Sequence, residues 1–251
     1  MHATLEQTAP HKLARAAGKL SAIYLTETLS ELNEGSGFLD RLSLSDIEDV
    51  KRVSVALALE PNETAFNQGE PHKGIYLIES GRVKTFYTGP TGKEITLAFW
   101  PAGHFVGGPE VFGGGNHMWS AVALEPSRLR YLPGTAIRAL VERKPAFAVG
   151  LIEGLVAKGK CYSALVQMLG TRSAAERLAQ LLLILAELHG KREGRSLIIE
   201  REITHDQLAH IIGSTRQWVT STLTRFQRSG LVTIKRNAII VHDPEELTCE
   251  F

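Results

Sequence analysis

Three residues, Gly213, Ser214 and Thr215, are all that separate two helical segments near the C-terminus, whose apolar stripes are Leu208, Ile211, Ile212 and then Val219, Leu223, Phe226. The second stripe recurs at i, i+4 and i+7, which is helical spacing. Thr204 followed by Gln207 has the capping-box spacing that starts the first helix. Gly213 can take the left-handed backbone that lets two short helices cross steeply, and Ala209 keeps the crossing point small. The pattern predicts a helix-turn-helix pair. The outer face of its second helix carries Arg216, Gln217, Thr220, Ser221 and Thr224. Such an edge suits the major groove of duplex DNA, where arginine pairs with guanine and glutamine with adenine through two hydrogen bonds each. Thr215 or Ser214 caps this helix, leaving the other hydroxyl for the DNA backbone, and the helix N-terminus itself favours a phosphate. Trp218 stands outside the core stripe, with contact to DNA and packing on a neighbouring hairpin as its two readings.

Whole-chain charge is uninformative, since 28 basic residues face 27 acidic ones. Its distribution is more telling. Between Asp206 and Asp243 there is no acid, while Arg216, Arg225, Arg228, Lys235 and Arg236 fall inside the window, with His210 and His242 beside them. A locally basic surface is the footprint expected for a phosphate backbone, although a solvated face short of acids has the same composition. After Gly230, "LVTIKRNAIIV" reads as two strands around Lys235, Arg236 and Asn237, a basic-tipped wing suited to phosphates.

With 251 residues, 43% hydrophobic and 22% charged, the chain is long enough for two ordinary domains. From Val55 to Leu132, "GIYLIESGRVKTFY", "EITLAFW" and "SAVALEPSRLRYL" read as strands, punctuated by Gly69, Gly81, Gly92 and Gly103, a spacing that predicts an antiparallel roll or barrel. Ahead of it, Ser45 with Glu48 predicts a capped helix burying Ile47, Val50 and Val53. Pro145 suits the first turn of a long helix, along which Leu151, Leu155, Lys158, Tyr162, Leu165 and Leu169 form a heptad seam. Pairing with a second copy and packing on its own domain are both compatible with so short a seam. Ser173 with Glu176 starts another helix closed by Gly190, and "GKREGRSLIIER" is a charged connection with a short strand. Residues 1–35 form a polar extension. No apolar run has the length of a membrane span or the form of a signal peptide, which points to a cytosolic protein with no membrane partner. Cys161 and Cys249 lack the spacing of a disulfide framework or a four-cysteine metal site.

With these parts in order, the sequence resembles the CRP/FNR family of bacterial transcription regulators. The matching stretches are "GFLDRLS", "FNQGEPHKGIYLIESGRVKTF" ahead of "AGHFVG", and "ITHDQLAHIIGSTRQWVTSTLTRFQRSGLV". The resemblance implies an α+β chain, with a β-roll sensor domain over residues 36–144, a dimerisation helix over 145–170 and a winged helix-turn-helix domain over 171–251. It implies a homodimer on a palindromic double-stranded operator, a contact with RNA polymerase, and an effector sensed in the roll. Arg216 matches the family's guanine-reading arginine. Gln217 and Ser221 stand where the family commonly has Glu and Arg, so the operator should differ from the usual one. Thr204 and Thr215 match phosphate-bonding positions, and His205 matches a frequent basic contact.

The sensor departs from the cyclic-nucleotide binders of that family. Where they carry Gly-Glu-Leu and Arg-Ser-Ala, this chain has Gly107, Gly108, Pro109 and Met118, Trp119, Ser120. Both charged partners of the cyclic nucleotide are missing, and burying a cyclic phosphate without a cation is costly, so another small molecule is expected. Gly107, Gly108, Met118, Trp119 and Trp100 are the candidate effector residues, and core packing competes as the reading of the three large ones. His104, His117 and Glu110 lack cupin-like ligand spacing, so neither a metal nor any other cofactor is expected. Two rival readings are a cupin-type metal enzyme and a regulator that binds DNA without an effector.

Overall fold

The computed structural model describes residue 38, residues 42–199 and residues 203–249; the extension read at 1–35 lies outside them. The first helix, α1 (Leu44–Arg52), is capped two residues earlier than expected. Ser43 accepts from the Asp46 backbone N–H and Asp46 answers at the Ser43 N–H. The Ser45–Glu48 pair has the same spacing but falls inside the helix. Val50 is buried as expected, whereas Val53, at the C-cap, is exposed.

The roll is antiparallel throughout. One sheet orders β1 (Val55–Leu59), β8 (Ser127–Pro133), β3 (Gly74–Ser80) and β6 (Phe105–Val106); the other orders β2 (Thr64–Phe66), β7 (Ser120–Ala123), β4 (Arg82–Thr88) and β5 (Glu94–Pro101). Strict alternation along β5 sends Thr96, Ala98 and Trp100 inward, as a half-buried strand requires. Gly69, Gly81, Gly92 and Gly103 all take positive φ at the turns.

Two helices leave the roll, α2 (Gly134–Arg143) and the 27-residue α3 (Pro145–Thr171), with Pro145 in its first turn. Gly154 lets α3 lie against the roll, because a Cβ there would sit 2.4 Å from the Phe105 ring. The heptad seam requires a correction. Leu151, Lys158 and Leu165 are buried within the chain, and Leu155, Tyr162 and Leu169 pack half-buried against the same two cores. The exposed apolar stripe of α3 is instead Val149, Ile152, Val156 and Val166, each at least half exposed. The seam is the inner face because glycines at 150 and 154 bring that side onto Phe38 and Phe105.

Ser173 and Glu176 form the expected capping box of α4 (Ala174–His189). The charged connection is a hairpin, β9 (Gly190–Glu193) with β10 (Ser196–Ile199), turned at Gly194. These strands join β11 (Val232–Lys235) and β12 (Ala238–Val241) in a sheet ordered β11-β12-β10-β9. The helix pair α5 (His205–Ile212) and α6 (Arg216–Arg228) lies between the two hairpins in sequence, and α7 (Pro244–Cys249) follows. One apolar cluster runs from Phe66 and Trp100 in the roll through Leu165 to Ile212 and Phe226.

Candidate nucleic-acid interface

The turn between α5 and α6 is made by Gly213, at φ 64° and ψ 41°. An L side chain is strained in this region, and a Cβ would also press on Leu169 at 3.1 Å. Thr204 and Gln207 complete the capping box of α5, while Leu208, Ala209, Ile211 and Ile212 are buried beneath it. Of the two candidate caps for α6, Thr215 accepts from the Trp218 N–H. Val219, Leu223 and Phe226 face the core, together with Thr222.

The opposite edge faces solvent. Arg216, Gln217, Thr220, Ser221, Thr224 and Arg225 are exposed, and Trp218 is half-buried against the core cluster. The hydroxyls on this edge are turned inward along the helix. Thr220 donates to the Arg216 carbonyl, Ser221 to Trp218 and Thr224 to Thr220, all at 2.9 Å. Since the single proton of Thr220 is committed, its oxygen accepts from His205 Nδ1 at 2.8 Å. His205 thus braces the outer edge of α6 instead of standing free. Ser214 is half-buried in the turn. Lys235, Arg236 and Asn237 are exposed at the tip of the β11–β12 hairpin.

The roll reaches this helix pair. Lys93, between β4 and β5, donates to the Gly213 carbonyl at 2.7 Å. Glu94 lies between Lys84 at 2.7 Å and His210 at 3.2 Å. The window that lacks acids in sequence is therefore met by one in space. Sequence reasoning missed both contacts, because partners as far apart as Lys93 and Gly213, 120 residues, leave no local signal.

The candidate effector residues do not form one surface. Trp100 is 1% exposed and donates to Thr85 Oγ1 in the core, with the Lys158 ammonium 3.5 Å over its ring. Met118 is 61% exposed, and Trp119 packs edge-on against Tyr162. Gly107 and Gly108 are buried, and the Gly108 N–H donates to His72 Nε2 at 2.7 Å. His72 is a residue the sequence reading passed over. It lies beside His117, which stacks on Phe66. Burial, reinforced by the neighbouring His72, pushes His117 down to about 4. Among the described residues no group of three or more His, Cys, Asp or Glu is placed to hold a metal ion, and no helix is long and apolar enough to cross a membrane.

Comparison with known proteins agrees with this architecture. The cyclic nucleotide-binding domain family matches residues 56–144, and the Crp-like helix-turn-helix domain family matches residues 176–249. The global nitrogen regulator of Synechococcus elongatus is 30% identical over 195 residues, spanning 76% of this chain and 87% of that protein. The CRP-like cAMP-activated global transcriptional regulator of Mycobacterium tuberculosis is 26% identical over 184 residues, 73% of this chain and 82% of that one. Among solved structures, the c-di-GMP responsive global regulator CLP of Xanthomonas campestris superposes with a TM-score of 0.70 at 16% identity, covering 80% of this chain and 99% of that one. A roll with a cyclic-nucleotide-binding-like fold, joined by a long helix to a winged helix-turn-helix, defines a DNA-binding transcription regulator and not an enzyme. The chain belongs to the CRP/FNR family of transcription regulators.

Proposed function

We propose that this regulator acts as a homodimer, reads a palindromic operator with the outer edge of α6, and answers to a small effector other than a cyclic nucleotide. The carrying observation is the division of α6 into a buried apolar face and an exposed edge of Arg216, Gln217, Ser221 and Thr224. Arg216 and Gln217 reach base edges. Thr204, Thr215 and the wing residues Lys235 and Arg236 hold phosphates, and His205 acts by bracing Thr220. Dimerisation uses the exposed stripe Val149, Ile152, Val156 and Val166, because an apolar helix face of that length is the surface a second copy would cover. Two relatives are named for nucleotide effectors. Here Gly108 and Met118 stand where the carboxylate and the arginine that hold a cyclic nucleotide would be needed, so a different effector fits better.

The test is operator selection from random DNA followed by mobility-shift titration. Arg216→Ala should weaken binding by about 1 to 3 kcal/mol per half-site, through loss of one bidentate base contact. Unchanged affinity would remove Arg216 from base reading. Val156→Glu should yield monomers in sedimentation and weaken operator binding; a dimer that survives it would move the interface elsewhere.

A further inference from the structure

We propose that the cleft between the roll and the helix-turn-helix is a binding site for a small organic anion with an apolar body. The inference rests on the regulator reading above and moves ligand control from the roll interior to the junction. The enclosed part of the cleft measures about 180 Å³, and it opens to solvent at its mouth. Arg82, Lys84 and Phe99 line it from the roll; Ile203, His210 and Ile211 line it from the DNA-binding half. Cations on one side and apolar side chains on both make it amphipathic.

Arg82 is the strongest indication of charge. Its Nε is buried with no hydrogen-bond partner among the described residues, and its ion pair with Glu125 is long, at 3.5 Å. The Arg82 side chain keeps about 20% of its surface exposed, and a carboxylate, sulfonate or phosphate oxygen in the cleft would pair with its guanidinium there. Lys84, already held near the cleft by Glu94, supplies the second cation. The apolar body then covers Phe99, Ile203 and Ile211.

The regulatory consequence follows from where the walls come from. Each half of the chain contributes only part of the cleft, so the full site exists only while α5 stays docked on β5. An anion bound there stabilises the docked arrangement, and by linkage must alter DNA affinity wherever docked and undocked forms bind DNA differently.

The probe is 8-anilinonaphthalene-1-sulfonate, titrated by fluorescence into the full-length protein, with uncharged N-phenyl-1-naphthylamine beside it. The expected result is saturable binding of the sulfonate, one per chain, about tenfold tighter than the uncharged analogue. Arg82→Gln should weaken it about tenfold by removing the cation. Leu124→Trp, at another lining position, should weaken it similarly by filling the cleft, with melting temperature as the control for folding. Bound probe should shift operator affinity in the parent protein and not in Arg82→Gln. Absence of saturable binding, binding insensitive to both variants, or binding lost only in Trp119→Ala would overturn the proposal. Mobility shifts without probe separate the two readings. Failure to bind DNA with cleft binding intact refutes the regulator reading alone, and DNA binding with cleft-insensitive probe binding refutes the cleft alone.

Discussion

The side-chain nitrogen of Lys93 donates to the carbonyl oxygen of Gly213, 2.7 Å away across the boundary between the roll and the helix-turn-helix. A lysine at a hairpin tip thus holds the one left-handed residue on which the helix crossing depends. The neighbouring residue, Glu94, holds His210 on α5. Two adjacent roll residues therefore grip both the turn and the first helix of the DNA-binding half.

Releasing that grip should loosen docking more than it lowers stability. Lys93 is exposed, and exposed polar contacts contribute about 0 to 1 kcal/mol. For Lys93→Met combined with Glu94→Gln, amide hydrogen exchange along Gln207–Ile212 should quicken several-fold, with only a small fall in melting temperature. Unaltered exchange in α5 would show that the apolar contacts alone hold the two halves together.

Gly154 tests how closely α3 must approach the roll. Alanine is the better helix former by about 1 kcal/mol, yet its Cβ would overlap the Phe105 ring. Overpacking should dominate, so Gly154→Ala is expected to destabilise by about 1 to 3 kcal/mol in urea melts. Combining it with Phe105→Leu should recover part of the loss, the non-additivity expected of two groups in contact.

Lys158 is buried, donates to the Phe105 carbonyl at 2.6 Å, and has its amine pushed by burial down to about 7 from the ordinary 10.5. The folded value lies below the unfolded one. Its stabilising share is therefore complete above about 10.5 and is lost as pH falls toward 7. Lys158→Met should raise stability at pH 7 by about 1 to 3 kcal/mol, as replacement of buried ionic groups by apolar ones often does. The advantage should shrink as pH rises toward 10. A variant that is less stable at every pH would mean that the bond to Phe105 outweighs desolvation.

His117 acts in the same sense at lower pH. With a folded value of about 4 against an ordinary 6.5, it stays neutral in the fold while the unfolded chain takes up a proton. Stability from this group is intact above 6.5 and is lost as pH falls toward 4; between pH 7 and 5.5 the loss is about 1 kcal/mol. Burial lowers His72 in the same direction. In denaturant melts at several pH values, His117→Gln should show a shallower acid slope than the parent, and equal slopes would assign the acid sensitivity elsewhere.

The helix pair was legible because its signals are local. The Thr204–Gln207 capping box, Gly213, the Thr215 cap and the stripes ending at Phe226 lie within 23 residues, and the structure realises each. The roll was legible through turn glycines and alternation for the same reason. The face of α3 was misread, since apolar periodicity marks a stripe without saying what covers it. Leu151 and Leu165 look like partners for a second copy until Phe38 and Phe105 are brought beside the same helix by tertiary packing. The candidate effector residues pose the same difficulty. Trp100 and Met118 are both large and apolar, but one belongs to the inward register of β5 and the other lies in a surface loop.

The cluster that runs from Phe66 through Leu165 to Phe226 leaves no apolar gap between the roll and the DNA-binding half. Heating should therefore melt both in one transition, with calorimetric and van't Hoff enthalpies in agreement. Any swing of one half against the other must shear a shared interior, so the chain should alternate between discrete packings rather than drift through a continuum.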